Sequence, residues 1–493
     1  MNDVIHNSIK VHDPLSAIID TPEFQRLRRL FQVGVTSHVY PSSTHSRFTH
    51  SLGVMHLANQ YMEQLRRDPA LNITPADEVC VAIGGLCHDL GSHGPYSHLY
   101  DGPFMDACGR RGAKKFKHEM ASLLILDRIL AYPRVQKAVQ KYLGTGDEYE
   151  RNVVFIKELI CPPKQLVDAR NNWLLKGREV EKAFLYDIIS NSRNGVDVDK
   201  ADYLLRDSHF AGAEITFGMG SLNRLIGTIK VVPCPKTGLS IIAYALKVRS
   251  DVLALLESRY YLHDKVYQHK TVKVIEAMTV EGFLAAEKYL TFEGDSGQRY
   301  TLSTITDDMS AYVKVDDSIV QMIANSTDPN LEKARRIFRK IEMRNLPRKQ
   351  AMVEFTPTSV KTSAKWRDPM HELSNICSEI RRDLLNREES IDNEDLFVLS
   401  RTLFRGMDGR RHPLLNVPFY DSKNQKVEYP TKEWLSRRAP SEPTVMTISL
   451  CVGRDVEEQK VDRLKTLFYM KLAEYGIPTT DSGVYDIVRV SMI

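Results

Sequence analysis

Cysteine is sparse and scattered: Cys80, Cys87, Cys108, Cys161, Cys234, Cys377 and Cys451 are the only seven in 493 residues, with no C-x-x-C pair. The odd count and wide spacing argue against a disulfide framework and a zinc ribbon. They fit reduced thiols in a cytoplasmic or nuclear compartment rather than a secreted protein. Long apolar runs are also missing, since none approaches the ~18 residues a membrane-spanning helix needs. The opening MNDVIHNSIKVHD lacks the charged-then-apolar order of a secretory signal. Nor does one sign of charge dominate: 67 Lys and Arg against 63 Asp and Glu leave a formal net of +4. That mild excess suits a polyanionic ligand and does not require nucleic acid. Internal repeats and low-complexity tracts are absent as well.

What is present is a globular composition, 42% hydrophobic and 26% charged. The length favours two or three domains. Residues 15–290 read as helices with short breaks. Apolar residues recur at helical spacing in 46–65, and 76–90 is apolar nearly all round, as a buried helix would be. Long helical patterns also cover 196–210 and 250–278. A hairpin is expected at 227–246, where Pro-Lys-Thr-Gly separates two β-rich runs. Residues 346–371 mix Pro, Thr, Ser and Lys and are expected to be a connection. Beyond them, 444–452 reads as a strand and 455–476 as a helix with Asp455 as N-cap and Gly476 just past its end. The expected fold is mainly α: a helical core over 1–345 with a short hairpin, the connection, and a smaller α+β lobe over 372–493.

The stretch LCHDLGSHGPYSH, residues 86–98, sets His88 beside Asp89 and adds His93 and His98. Imidazole and carboxylate are the usual donors to a divalent metal. In a helical protein the remaining ligands must come from other helices. His50 in SRFTHSLGV and Asp199 in NGVDVDKADY complete a set of two imidazoles and two carboxylates, suited to Fe, Mn, Zn or Ni. Taken singly, each also fits a satisfied core histidine or a surface acid. The adjacent His-Asp pair after a buried helix favours a site, because burying it without a partner charge is costly.

Asp199, Tyr203 and Asp207 recur at i, i+4 and i+8, with Lys200 beside them. Arg259, His263, Tyr267 and Lys270 recur at i, i+4, i+8 and i+11. Each spacing puts its set on one helix face. A solvated face is the plain alternative, but cations alternating with aromatics suit a nucleotide's phosphates and its sugar or base. Arg47, three residues before His50, points to the same side as that ligand and suits phosphate. RRGAKKFKH (110–118) and RNLPRK (344–349) read as a solvated loop and a linker.

The set RFTH, HDLG, GPYSH, NGVDVDKADY and RYYLHDKVYQHK resembles the HD-domain phosphohydrolases. Within them the chain is very similar to the SAM- and HD-domain deoxynucleoside triphosphate triphosphohydrolases. The likeness continues through IIDTPEFQRLR, TLSTITDDMSAY and STDPNLEKARRIFRKIEMRNL. It covers residues 2–346 well and 395–475 loosely; the chain starts where that family's catalytic part would start, so no SAM module is expected in it.

The resemblance implies that His50, His88, Asp89 and Asp199 hold Fe, Zn or Mn, with Mg bridging nucleotide phosphates. Arg47, Lys200, Tyr203 and Arg259 would hold the triphosphate, and Gln32 and Asp207 would read the sugar 3′-hydroxyl. Val33 and His263 would join this substrate site. Tyr203 and Tyr267 would close the space of a ribose 2′-hydroxyl, with Tyr267 and Gln268 near the base. His98 would be the general acid, supported by Asp101 and His118, and His93 would touch the α-phosphate. Asp20, Gln25 and Arg28 match a guanine-reading activator site. Asn2, Val39, Lys247, His269 and Lys270 match parts of a neighbouring nucleotide site. The implied partners are a dNTP substrate, GTP or dGTP as activator, and a homotetramer.

This chain departs from the family pattern twice. Ser92 lengthens the loop carrying His93 and His98, and Gly91 and Gly94 give that loop slack. Arginines expected near Ser221 and Ala245 are absent, which weakens the second activator pocket. Two rival readings remain: an HD-type nucleotidase or cyclic-nucleotide phosphodiesterase, and a single-stranded nucleic-acid-binding regulator with a relic site.

Overall fold

Helix Pro75–Cys87 begins where its residues dictate. Thr74 accepts the N–H of Asp77, the Asp77 carboxylate accepts that of Thr74, and Pro75 takes the first position, where no N–H is needed. Past this cap Cys80, Val81, Ile83, Leu86 and Cys87 are fully buried. The helix packs against Arg47–Leu65, and a Cβ on Gly85 would meet Ala58 Cβ at 3.3 Å, so small residues set the approach. Helix Val198–Ala211 also packs on Arg47–Leu65, and Arg249–Leu262 packs on Val198–Ala211. Asp197 caps Val198–Ala211 by accepting the Lys200 N–H at 3.0 Å, and Gly212 ends it at φ +62°. These helices carry the candidate residues.

The computed structural model describes residues 1–91, 94–109, 118–163, 165–360, 368–406, 411–423, 426–439 and 444–478. The described chain forms two compact units. One comprises Met1–Val266, Leu290–Ile319 and Gly406–Ala439, and the other Tyr267–Tyr289, Val320–Arg405 and the described part of Pro440–Ile493.

The first unit is mainly helical. The expected hairpin is there, with Lys230–Pro233 antiparallel to Ser240–Ala245. It is extended to four strands, because Phe419–Tyr420 pairs parallel to Ser240–Ala245 and then with Val427–Glu428. In the second unit Thr444–Val452 is the middle strand of an antiparallel sheet, between Arg348–Phe355 and Leu396–Phe404. Helices Pro369–Arg387 and Glu458–Glu474 bury Ile380, Leu384, Leu464 and Phe468 with Ile448 and Leu450 of that strand.

Three local expectations need correction. The stretch 346–371 is not wholly an irregular connection, because Arg348–Phe355 is a strand whose Ala351, Val353 and Phe355 alternate into the core. The last helix starts at Glu458 with Glu457 in the capping position, so Asp455 is not its N-cap, whereas Gly476 does follow its end at φ +67°. The pattern over 250–278 is not one helix. Arg249–Leu262 runs into a π-turn at His263–Tyr267, His269 leaves the helix at ψ 136°, and Lys270–Ala286 begins anew. A π-turn holds an extra residue per turn, so Arg259, His263, Tyr267 and Lys270 do not share one uninterrupted face.

Candidate metal centre and active site

Three helices of the first unit bring four donors together. His50 lies on Arg47–Leu65, Asp199 in the first turn of Val198–Ala211, and His88 and Asp89 just past the end of Pro75–Cys87. Ligand atoms of His50, His88 and Asp89 all lie within 4.8 Å of one another. Asp199 Oδ1 is 3.1 Å from His50 Nε2 and 3.5 Å from His88 Nε2, while Asp89 Oδ2 is 3.9 and 3.6 Å from the same nitrogens. Each imidazole is held from behind. His50 Nδ1 donates to Asp202 Oδ2 at 2.7 Å and His88 Nδ1 to the Gly85 carbonyl at 2.9 Å, so both Nε2 atoms face the carboxylates. Among the described residues, Asp199 Oδ1 and Asp89 Oδ2 are the acceptors facing His88 Nε2, and neither is closer than 3.5 Å.

The electrostatics point the same way. Burial opposes charging His50, yet hydrogen bonds to Asp199 and Asp202 outweigh it and lift the imidazole to about 10. Burial would raise Asp199, but the two histidines hold it well below the usual carboxylate range. A buried imidazole and a largely buried one, both facing two carboxylates, fit a divalent cation. The His50 side chain is 1% exposed and that of Asp199 31%, so the cluster opens on its carboxylate side.

Cations surround this cluster. Arg47 donates to Asp89 Oδ2 at 2.5 Å and also to Ser97 Oγ. Lys200 Nζ is 3.0 Å from Asp197; burial lowers Lys200, and Asp197, Tyr203 and Asp199 together more than offset it, pushing the amine up to about 12. The Tyr203 ring stands 6.5 Å from that of His50. Asp207 Oδ1 accepts from His45 Nε2 at 2.7 Å. Gln32 is fixed through its backbone, its N–H to His45 O at 3.0 Å, while its side-chain Oε1 is buried and has no hydrogen-bond partner among the described residues. Val33 precedes the 3-10 turn Gly34–His38. His263 opens the π-turn, and burial, then Arg259 and His98, hold its imidazole well below the ordinary value.

His98 is exposed and lies two residues before the π-turn Tyr100–Phe104, which contains Asp101. His93 and the side chain of His118 lie outside the described residues. Tyr96 and Ser97, between Gly94 and His98, take φ +61° and +64°, a strained pair for residues with side chains. Asp317 holds that pair by accepting the Tyr96 N–H at 2.6 Å and the Phe31 N–H at 2.7 Å.

Of the expected activator residues, Gln25 and Arg28 meet, with Arg28 Nε donating to Gln25 Oε1 at 2.7 Å and its guanidinium 3.5 Å over Phe48. Asp20 ends helix Leu15–Ile19 and pairs with Arg134 at 3.2 Å. Asn2 is in a two-residue strand, Val39 follows the turn Gly34–His38, and Lys247 lies in the turn Leu246–Val248. Tyr267, Gln268, His269 and Lys270 belong to the second unit, where the Gln268 amide donates to Thr402 O at 3.1 Å and His269 caps its helix.

Sequence reasoning missed His6, His45, Ser97, Asp202, Arg206 and Asp317. Asp202 carried a signal: it lies three residues after Asp199 and so shares a helix face with it. His6 and Asp317 gave none, being distant in sequence from everything they touch.

A His-Asp pair at a helix end, completed by a histidine and an aspartate from two neighbouring helices, defines an HD-domain phosphohydrolase. The HD domain family matches residues 47–207, which hold all four donors. The chain is 38% identical over 422 residues to the deoxynucleoside triphosphate triphosphohydrolase SAMHD1 of Bos taurus, covering 85% of this chain and 69% of that protein. It is 40% identical over 443 residues to the Homo sapiens protein, covering 89% and 68%, and 36% identical over 447 residues to that of Gallus gallus, covering 89% and 69%. The chain belongs to this triphosphohydrolase family, and it is a hydrolase.

Proposed function

We infer that the protein hydrolyses deoxynucleoside triphosphates at the α-phosphorus, giving deoxynucleoside and inorganic triphosphate. The observation carrying this reading is the convergence of His50, His88, Asp89 and Asp199 with Arg47 tied to the same cluster. A divalent metal held there would supply a Lewis acid for water and for a phosphoryl oxygen. Arg47 and Lys200 balance the charge that grows on the phosphate oxygens, and Arg259 extends that cradle. Water oxygen bonds to phosphorus and gives up a proton to solvent while the bond from phosphorus to the sugar 5′-oxygen breaks. His98 donates its proton to that oxygen and recovers one from solvent, to which it is exposed. By the family resemblance, Asp101 and His118 are assigned to supporting His98, and His93 to the α-phosphate. Gln32 Oε1, unpartnered among the described residues, accepts the sugar 3′-hydroxyl, with Asp207 held ready by His45. Tyr203 excludes a ribose 2′-hydroxyl.

GTP or dGTP activates the enzyme and assembles a homotetramer. Asp20 accepts from the guanine N1–H and N2 amine, and Gln25 with Arg28 lie beside it. The exposed Asp20–Arg134 pair is worth little and exchanges readily for a ligand. Fe, Zn or Mn fits the His-and-carboxylate donors and Mg the phosphates.

The test is incubation of purified protein with dATP and Mn or Mg, with and without GTP, and separation of products by anion exchange. Deoxyadenosine with inorganic triphosphate is expected. Monophosphate with pyrophosphate, or stepwise release of phosphate, would point to a nucleotidase or phosphodiesterase. No turnover with any metal would point to a relic site.

A further inference from the structure

The metal ligand His50 is joined through buried hydrogen bonds to the segment Asp3–His6. Asp202 has both oxygens fully used: Oδ1 accepts from His6 Nε2 at 2.6 Å and Arg206 Nη2 at 2.9 Å, and Oδ2 from His50 Nδ1 at 2.7 Å and Arg206 Nε at 2.9 Å. Arg206 then reaches on to Asp3, with Nη1 2.8 Å from Oδ2 and Nη2 3.3 Å from Oδ1. Asp3 Oδ1 folds the segment by accepting the N–H groups of Ile5 and His6, each at 2.9 Å. A short antiparallel pairing, Asn2 with Ser8 and Asp3 with Asn7, closes the segment into a loop. The side chains of His6, Asp202 and Arg206 are at most 1% exposed, and that of Asp3 is 5% exposed.

The helix carrying His50 makes room for this arrangement. Gly53 is one turn beyond His50, and a Cβ there would lie 1.8 Å from Asp202 Oδ1 and 2.5 Å from Arg206 Nη2. Any larger residue would displace the carboxylate that orients the ligand. The charges also matter. Asp3 and Asp202 share a single guanidinium, so Asp202 keeps negative character to direct at the His50 N–H. A carboxylate behind a metal-bound imidazole fixes its tautomer and raises its basicity. Here that carboxylate is itself fixed by residues nearly two hundred positions earlier in the chain.

We propose that Asp3 and His6 are positioning residues for the metal centre, acting through Arg206 and Asp202 to hold His50 Nε2 toward the metal. This rests on the metal-site part of the reading above and is independent of which nucleotide is cleaved. Neither residue touches the metal. Their effect should therefore be a loss of metal affinity, not of fold.

The test is titration of the metal-free full chain with Mn against a competing chelator, without nucleotide, alongside melting of the metal-free protein. His6→Ala should weaken Mn binding by about 10- to 100-fold, the usual range for a group behind a ligand. His6→Gln, whose amide can still donate to Asp202 Oδ1, should recover most of that loss. Asp3→Asn should give a smaller loss, and should carry the test with His6→Gln if His6→Ala fails to fold. Wild-type Mn affinity in His6→Ala and Asp3→Asn would overturn the proposal. So would a His6→Gln protein whose affinity falls in step with its metal-free melting temperature, since that marks a merely structural contact. Because no nucleotide is present, a wrong substrate assignment would leave the outcome unaffected.

Discussion

Arg47 Nη1 stands 2.5 Å from Asp89 Oδ2, so the cation assigned to phosphate grips a carboxylate assigned to metal. A second nitrogen of the same guanidinium reaches Ser97, in the strained turn before His98. One planar group thus links the residues proposed for phosphate and metal to the turn that precedes the proposed general acid His98.

Lysine cannot reproduce that fork. Arg47→Lys should keep bound metal within about twofold while lowering kcat roughly 100-fold, an effect on the scale of losing one transition-state donor. Metal content and steady-state kinetics on dATP check this, and a variant retaining half the wild-type kcat would refute the bridging role.

Removing a ligand should be more severe. Asp199→Ala, or His88→Ala with Asp89→Ala, should lose the metal and abolish triphosphate release, because affinity and water activation fall together. Elemental analysis of the purified variants is the direct measurement. Full metal content with normal turnover in either would remove the site assignment.

Asp317 gives a pH-dependent prediction. Burial raises its carboxyl to about 7 against the N–H groups of Phe31 and Tyr96 and the charges of Arg26 and Arg47. An acid raised on folding holds its proton more tightly in the folded state. Its stabilising contribution is therefore complete below its unfolded value near 4 and is lost as pH rises toward 7. The wild type should lose up to about 1.4 kcal/mol of stability per pH unit from this group across that window. Asp317→Asn should flatten the dependence, read from denaturant unfolding at several pH values. Parallel profiles for the two proteins would count against it.

Asp20 tests the activator reading. Asp20→Asn should reduce the GTP stimulation of dNTP hydrolysis and the GTP-driven shift in sedimentation, because an amide presents a donor where guanine also donates. ATP should stimulate neither protein. If GTP leaves rate and mass unchanged in the wild type, the regulatory claim ends and the catalytic one stands.

Much of this was readable in the residues. The helices carrying His50, His88 and Asp199 follow from local signals: the apolar recurrence over 46–65, the nearly all-apolar run over 76–90 and the helical pattern over 196–210. The strand Thr444–Val452 was legible from its β-rich run. The break at His263–Tyr267 was not, because a π-turn changes hydrogen bonding without a Pro or Gly to announce it. The strand Arg348–Phe355 was hidden because its exposed Arg348, Lys349 and Glu354 are charged like the residues of a linker. The groups behind the metal centre were missed for another reason. His6 and Asp202 are 196 residues apart, and periodicity carries no information over that distance.

The path of the chain has a practical consequence for anyone wishing to divide this protein. It passes between the two units after residues 266, 289, 319, 405 and 439. Each unit is therefore stitched from separate stretches of one polypeptide, and a single cut at any of these positions severs at least one of them. A gene fragment encoding 1–266 would carry every donor of the metal cluster yet lack Asp317, the anchor of the loop before His98. A contiguous piece that keeps the whole first unit must therefore run from residue 1 to 439 and carries stretches 267–289 and 320–405 of the second unit with it.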